Sequence, residues 1–138
     1  AVRAFGEQLT QVPQAQRAEL LAADADGVPG LSLALEGGHG DAVRAFGEQL
    51  MQVLQEQRAE LLAARNADGV PGLYMALQNG HGDAVRAFGE QLKQVPQAQW
   101  AGLLSARNAD ELPGLLMALQ DGHADAVHAF GEQLTQVP

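Results

Sequence analysis

The phrase GLYMALQNGHGDAVRAFGEQL, residues 72–92, recurs with few changes at residues 30–50 and again at residues 114–134. A reacting centre needs its groups once, at one point. A row of stacked units needs the same groups in every unit. His39, His81 and His123 mark a period of 42 residues, and the first copy is one residue shorter because LLAADADG stands where the later copies read LLAARNADG or LLSARNADE. A fixed period in this range points to a solenoid or array, whose units bury their apolar faces only against their neighbours. The expected organisation is one repeat domain over residues 1–138, with units at about 1–29 (partial), 30–71, 72–113 and 114–138 (partial). The opening AVRAFGEQL and the closing GEQLTQVP both occur inside units elsewhere. Both ends are therefore expected to be cuts in a longer protein.

Each unit predicts three helices. PGLYMALQNG opens with Pro71 and closes with Gly80, a pairing that brackets a short helix of about two turns. In DAVRAFGEQLKQV the residues Val85, Phe88, Leu92 and Val95 form one helical stripe, and Asp83 sits in the first turn, where the helix dipole favours a negative charge. PQAQWAGLLSAR starts at Pro96 and is expected to bury Leu103 and Leu104, with Arg107 near its negative end. NADGVP or NADELP then turns the chain back. Leu54 replaces the proline of Pro13 and Pro96, yet a turn is expected there too, imposed by the neighbouring units. Gly89 lies in a helix interior, where glycine costs about 1 kcal/mol relative to alanine. Its recurrence as Gly6, Gly47 and Gly131 points to a close helix–helix approach that leaves no room for a β-carbon.

Composition narrows the class further. Apolar residues make up 46% of the chain but aromatics only 4%, so the core must be built from small and aliphatic side chains. Few β-branched residues and many Ala, Leu, Gln and Glu favour helix over strand, and no alternating stretch argues for a sheet. The net charge is −9, with eight basic residues scattered among seventeen acidic ones. Nucleic acid and anionic membrane surfaces are disfavoured, and a basic protein or peptide is the better-matched partner. With no cysteine, disulfides, thiolate metal sites and cysteine nucleophiles are excluded. No apolar run is long enough to span a bilayer.

GLYMALQNGH resembles the first helix of an ankyrin repeat, PLHLAAxxGH, with Leu73, Ala76, Gly80 and His81 in register. DAVRAFGE resembles the second ankyrin helix, EVVKLLLE, and GVPGL resembles the lead-in GxTPL, with Gly72 in place of the usual proline. About 24 of the 42 positions can be read this way in every copy. An ankyrin repeat is about 33 residues long and carries a β-turn finger. Here a third helix, PQAQWAGLLSAR, occupies that region, and the layout is closer to an armadillo repeat. The resemblance implies an all-α fold: a right-handed α-solenoid of about three 42-residue, three-helix ankyrin-like repeats, with the first helices lining one side. MALQNGHGDAVRAFGE is also similar to ankyrin-like repeats in type III secretion effectors of Gram-negative pathogens. That resemblance implies a bacterial virulence protein secreted into a host cell, whose repeats choose the host target. A cytoplasmic role in the producing cell is the alternative.

His39, His81 and His123, each followed two residues later by Asp41, Asp83 or Asp125, would lie roughly 10 Å apart by helix-packing distances, whereas a metal needs converging ligands. In ankyrin-like turns this histidine holds the loop by hydrogen bonds, and that structural role is expected. His128 replaces an arginine and is expected at the surface. Glu90 with Asp83, or Glu60 with Glu56, could be imagined as an acid–base pair. No nucleophile or phosphate-cradling loop accompanies them, and Glu7, Glu48, Glu90 and Glu132 repeat like a solvated helix face. No catalytic, cofactor or metal site is expected in this stretch.

Positions that differ between copies are the candidates for contact with a partner. Ser32, Tyr74 and Leu116 share one slot; Arg17, Arg58 and Trp100 share a second; Thr10, Met51, Lys93 and Thr135 share a third. Asp24, Arg65 and Arg107 occupy the turn after the third helix. Glu36, Gln78 and Gln120 precede another turn, followed by Gly37, Asn79 and Asp121. Tyr74, Trp100, Lys93, Arg58, Met51 and Leu116 are the expected protein-binding residues, since tyrosine and tryptophan are favoured at interface centres. For Tyr74 the competing expectation is core packing. The reading is a protein–protein interaction module without covalent chemistry. The alternatives are a spacer or weakly self-associating scaffold, or the accessory region of an enzyme whose catalytic domain lies elsewhere.

Overall fold

A computed structural model describes residues 28–135 without a break, together with residues 16, 21, 22, 24 and 25. Gly6, Glu7, Thr10, Pro13 and Arg17, named above, lie outside the described residues. Among them the regular structure is helical apart from one short antiparallel ladder and two isolated bridges. β1 (Asp24–Ala25) pairs with β2 (Val28–Pro29), Asp24 opposite Pro29 and Ala25 opposite Val28. The helices are α1 (Gly30–Glu36), α2 (Gly40–Leu50), α3 (Gln55–Leu62), α4 (Gly72–Gln78), α5 (Gly82–Glu90), α6 (Trp100–Ser105), α7 (Gly114–Gln120) and α8 (Ala124–Leu134). None is long and apolar enough to cross a membrane.

The short helices α1, α4 and α7 lie side by side in one row. The longer helices α2, α5 and α8 form a second row, and each short helix also packs on the longer helix that follows it. The core runs between the rows. Leu35, Val43, Leu50, Leu73, Leu77, Val85, Phe88 and Leu92 are all fully buried. Each such side chain contributes about 1.5–3 kcal/mol when taken out of water. The stripe read from Val85, Phe88, Leu92 and Val95 is buried throughout.

The turn between paired helices has the same construction each time. Pro71, in extended backbone, leads into α4. Gly80, at φ +75°, takes the left-handed conformation that only glycine adopts without strain. The His81 amide then bonds back to the Ala76 carbonyl at 2.9 Å. Gly38 and Gly122 do the same before His39 and His123.

Several local expectations are corrected. α5 stops at Glu90 and tightens into a 3-10 turn, Gln91–Gln94, before Val95 becomes extended. The third element of that copy is a 3-10 turn at Gln97–Gln99 followed by the short helix α6. Leu104 is buried there, while Leu103 is only half-buried. The chain turns back at NADGVP and NADELP, as expected. After α3 and α6 it folds back through antiparallel bridges, Arg65 to Pro71 and Arg107 to Pro113. Asn66 and Asn108 hold those turns: the side-chain oxygen of Asn66 accepts the amides of Asp68 and Val70, and that of Asn108 accepts those of Asp110 and Leu112. Such Asx bonding is a local backbone device that helical periodicity does not report. The expected break at Leu54 is present. Leu54 has φ −61° and ψ 141°, close to the −59° and 140° of Pro96, and α3 starts after it.

Candidate protein-binding surface

Which side chains a partner can meet depends on which are already used between neighbouring copies. Three contacts recur at those joints. The first is a clamp of charge. Arg44 on α2 donates to both carboxylate oxygens of Asp83 at 3.0 and 3.1 Å, and through Nε to Glu90 at 2.9 Å. Arg86 on α5 likewise spans two carboxylates of α8, donating to one oxygen of Asp125 and, through Nε, to Glu132, each at 3.1 Å. The hydrogen bonds it donates to Asp83 and then Glu90 hold the Arg44 guanidinium well above its ordinary range, against a smaller effect of desolvation. The bond from Arg44 lowers Asp83. Asp125, then Glu132, raises Arg86. Exposed pairs are individually weak, but a forked arginine across two carboxylates fixes the register of neighbouring helices. The carboxylates read as a solvated face are therefore half of a joint. The signal that marks them is the recurrence of Arg44 and Arg86 with an aspartate and a glutamate in the next copy.

The second contact is a glutamine in a glycine notch. A β-carbon on Gly47 would collide with the Gln91 side chain, and one on Gly89 with that of Gln133. Gln91 is buried, donates to the Ala87 carbonyl at 3.0 Å and accepts from Gln94 at 2.8 Å, while Gln94 also donates to the Gly47 carbonyl at 2.7 Å. The close approach expected at Gly89 is present, with a side chain rather than a backbone as the neighbour. The third contact is a histidine over a glycine: the imidazoles of His81 and His123 cover Gly38 and Gly80 of the preceding copy. None of His39, His81 and His123 caps its helix through its side chain. The expected loop-holding bonds come instead from the histidine backbone, and the ring serves packing. Among the described residues no group of three or more His, Cys, Asp or Glu is gathered to hold a metal ion.

The six expected contact residues separate accordingly. Tyr74 is a correction as a surface residue. It is 5% exposed, packs against α7 at Gly114, and its hydroxyl accepts the Asn108 amide at 3.3 Å. Ser32 in the same slot is likewise buried. Leu116 shares that slot and is 43% exposed because no further copy covers it among the described residues. Arg58 and Trp100 are half-buried and tie the third element to the end of the second. Arg58 donates to the Met51 and Gln94 carbonyls at 3.4 and 3.5 Å, and Trp100 donates to the Val95 carbonyl at 3.2 Å. Met51, 66% exposed, and Lys93 are open to solvent at the ends of neighbouring long helices. Thr135 occupies the same place on α8 and is exposed. His128 is exposed, as expected. Leu33 and Leu54 are exposed apolar residues as well.

No protein-family model matches the chain, and no curated protein matches it either. Among solved structures it is similar to a chain of the crystal structure of the yeast ribosomal protein Rps3 in complex with its chaperone Yar1. The TM-score is 0.68 at 19% sequence identity, over 96% of this chain and 83% of that one. The likeness is one of fold.

Proposed function

We propose that this chain is an α-solenoid of ankyrin-like three-helix repeats that binds a protein partner, without covalent chemistry of its own. One observation carries the reading. The arginine clamps, glutamine notches and histidine covers use the same residue types at successive joints, whereas Met51, Lys93 and Thr135, at one exposed place on successive copies, differ. A constant frame with a changing outer row is what surface recognition along an elongated stack requires. The similar solved chain comes from a complex between a ribosomal protein and its chaperone, which supports a protein as partner. Exposed Glu56, Glu60, Asp68, Asp110 and Asp121, none of them engaged by the arginine clamps, favour a basic one. Membership of a secreted bacterial effector rests on the wording MALQNGHGDAVRAFGE alone.

The test compares capture by the native chain and by a Met51→Glu, Lys93→Glu variant, with equal folding checked by circular dichroism. Loss of one defined protein from the variant supports recognition along the Met51–Lys93 row. Identical capture by both baits rejects that row as the binding surface.

A further inference from the structure

We propose that the outer face of α3, with the chain that leads into it, docks a short amphipathic helix of a protein partner, one that carries two lysine or arginine residues a turn apart beside apolar ones. The inference rests on the reading of the chain as a protein-binding stack, and it names the kind of segment bound at the middle copy.

α3 belongs to neither row of helices, and only its last two residues, Leu61 and Leu62, are buried. At its entrance Met51 is 66% exposed and Leu54 39%. Leu54 stands where the first and third copies have Pro13 and Pro96. Its backbone keeps the conformation of Pro96, and among the described residues its amide donates no hydrogen bond that a proline would forfeit. Proline suits such a place better, because it restricts the unfolded chain. Backbone geometry therefore gives no reason for leucine, and its exposed part stabilises nothing until something covers it.

The charges on α3 indicate what covers it. Glu56 and Glu60 are both exposed. Their spacing puts them on one side of the helix, about 6 Å apart along its axis, where like charges repel. Arg58, between them in sequence, is turned to the Met51 and Gln94 carbonyls. Neither glutamate enters an ion pair among the described residues. The third copy has Ala98 and Gly102 at these two places, and the first has Ala15 in place of Glu56. Met51, Leu54 and Glu56 thus set the middle copy apart together.

Exposed apolar side chains beside two unpaired carboxylates match a ligand that is apolar on one face and cationic along its edge. A helix places cations at i and i+4 at the same spacing of about 6 Å. It also satisfies its own backbone, whereas an extended strand would lay unpaired amides against Met51 and Leu54. A second copy of this chain, at net charge −9, would bring like charge to the face.

The test titrates the full chain with three fluorescein-labelled, side-chain-stapled helices of equal length, read by anisotropy. One has leucines on one face and lysines at i and i+4 on its flank. The second has glutamates in place of those lysines, and the third has the first one's residues in scrambled order. The first should bind saturably, and the other two roughly tenfold more weakly or worse. Leu54→Pro should keep or raise the urea midpoint and weaken binding several-fold. Glu56→Gln with Glu60→Gln should weaken it roughly tenfold and flatten its dependence on salt. The proposal is overturned if the basic helix does not bind, if the acidic helix binds as well, or if binding survives both variants. Self-association of the native chain in sedimentation, abolished by Leu54→Pro, would assign the face to a second copy and overturn it too. Capture of a protein through Met51 and Lys93 that survives Leu54→Pro and the double glutamine variant would strike this site alone and leave the binding role of the stack standing.

Discussion

The carboxamide of Gln91 lies where Gly47 would carry a β-carbon. The relationship joins a glycine that a lone helix would reject to a polar side chain that a core would ordinarily exclude. Each accounts for the other. The glutamine is buried because its donors and acceptor are satisfied, and the glycine is tolerated because it makes that space.

Gly47→Ala is therefore expected to destabilise, although alanine is the better helix former. The Gln91 side chain would have to move and surrender its bonds to Ala87 and Gln94, at about 1 kcal/mol each. The net loss by urea denaturation should be on the order of 1 kcal/mol, after the helix-propensity gain is deducted. Gln91→Ala should cost less in the Gly47→Ala background than in the native chain, because the same bonds are already lost. A stabilised Gly47→Ala single variant would contradict the packing described.

Glu111 occupies the place that Gly69 holds in the preceding copy. Its φ is +64°, against +75° for Gly69. A left-handed conformation costs a residue with a β-carbon roughly 1–2 kcal/mol. Glu111→Gly should raise stability by about 1 kcal/mol, and Gly69→Ala should lower it by a similar amount. Thermal unfolding of the two variants checks both signs.

Tyr74→Phe removes only the bond from Asn108, with an expected loss of about 0.5–1.5 kcal/mol. Tyr74→Ala should lose about 3–5 kcal/mol, as buried aromatics do. Binding of any partner by the folded Phe variant should be unchanged. Weakened binding with unchanged stability would restore Tyr74 to the contact surface.

The Asp83 carboxyl is held below its ordinary range by the hydrogen bond from Arg44. A carboxylate whose folded pKa is depressed contributes stability above its unfolded pKa and loses it as pH falls through the folded one. The clamp should thus survive acidification through the usual aspartate range and open only below it. An NMR titration of the Asp83 carboxyl should show this, and Arg44→Gln should return Asp83 toward the ordinary value. An Asp83 that titrates alike in both proteins would mean that the clamp is not formed in solution.

Much of the architecture is legible in the sequence. Pro71, Gly80 and the Val85, Phe88, Leu92 spacing act within a few residues of themselves, so they declare their helices locally. Gly89 declared a close approach because its cost recurs. The slot of Ser32, Tyr74 and Leu116 did not declare its place. A residue facing the next copy can vary as freely as one facing solvent, provided its neighbour varies with it, and Tyr74 with Asn108 is such a pair. The clamps of Arg44 and Arg86 were hidden for a related reason: their partners are a whole copy away, and each carboxylate looks solvated when only its own helix is considered.

The sequence by itself determined the period, the helical class and the turn chemistry, because these follow from short-range spacing and backbone preference. Only the tertiary structure decided which faces of those helices meet. It placed Tyr74 inside a joint, left Met51 and Lys93 in the open and exposed Leu119 at an uncovered end. Those outcomes depend on contacts between residues one full repeat apart, where burial is set by the neighbouring copy and not by the residue itself.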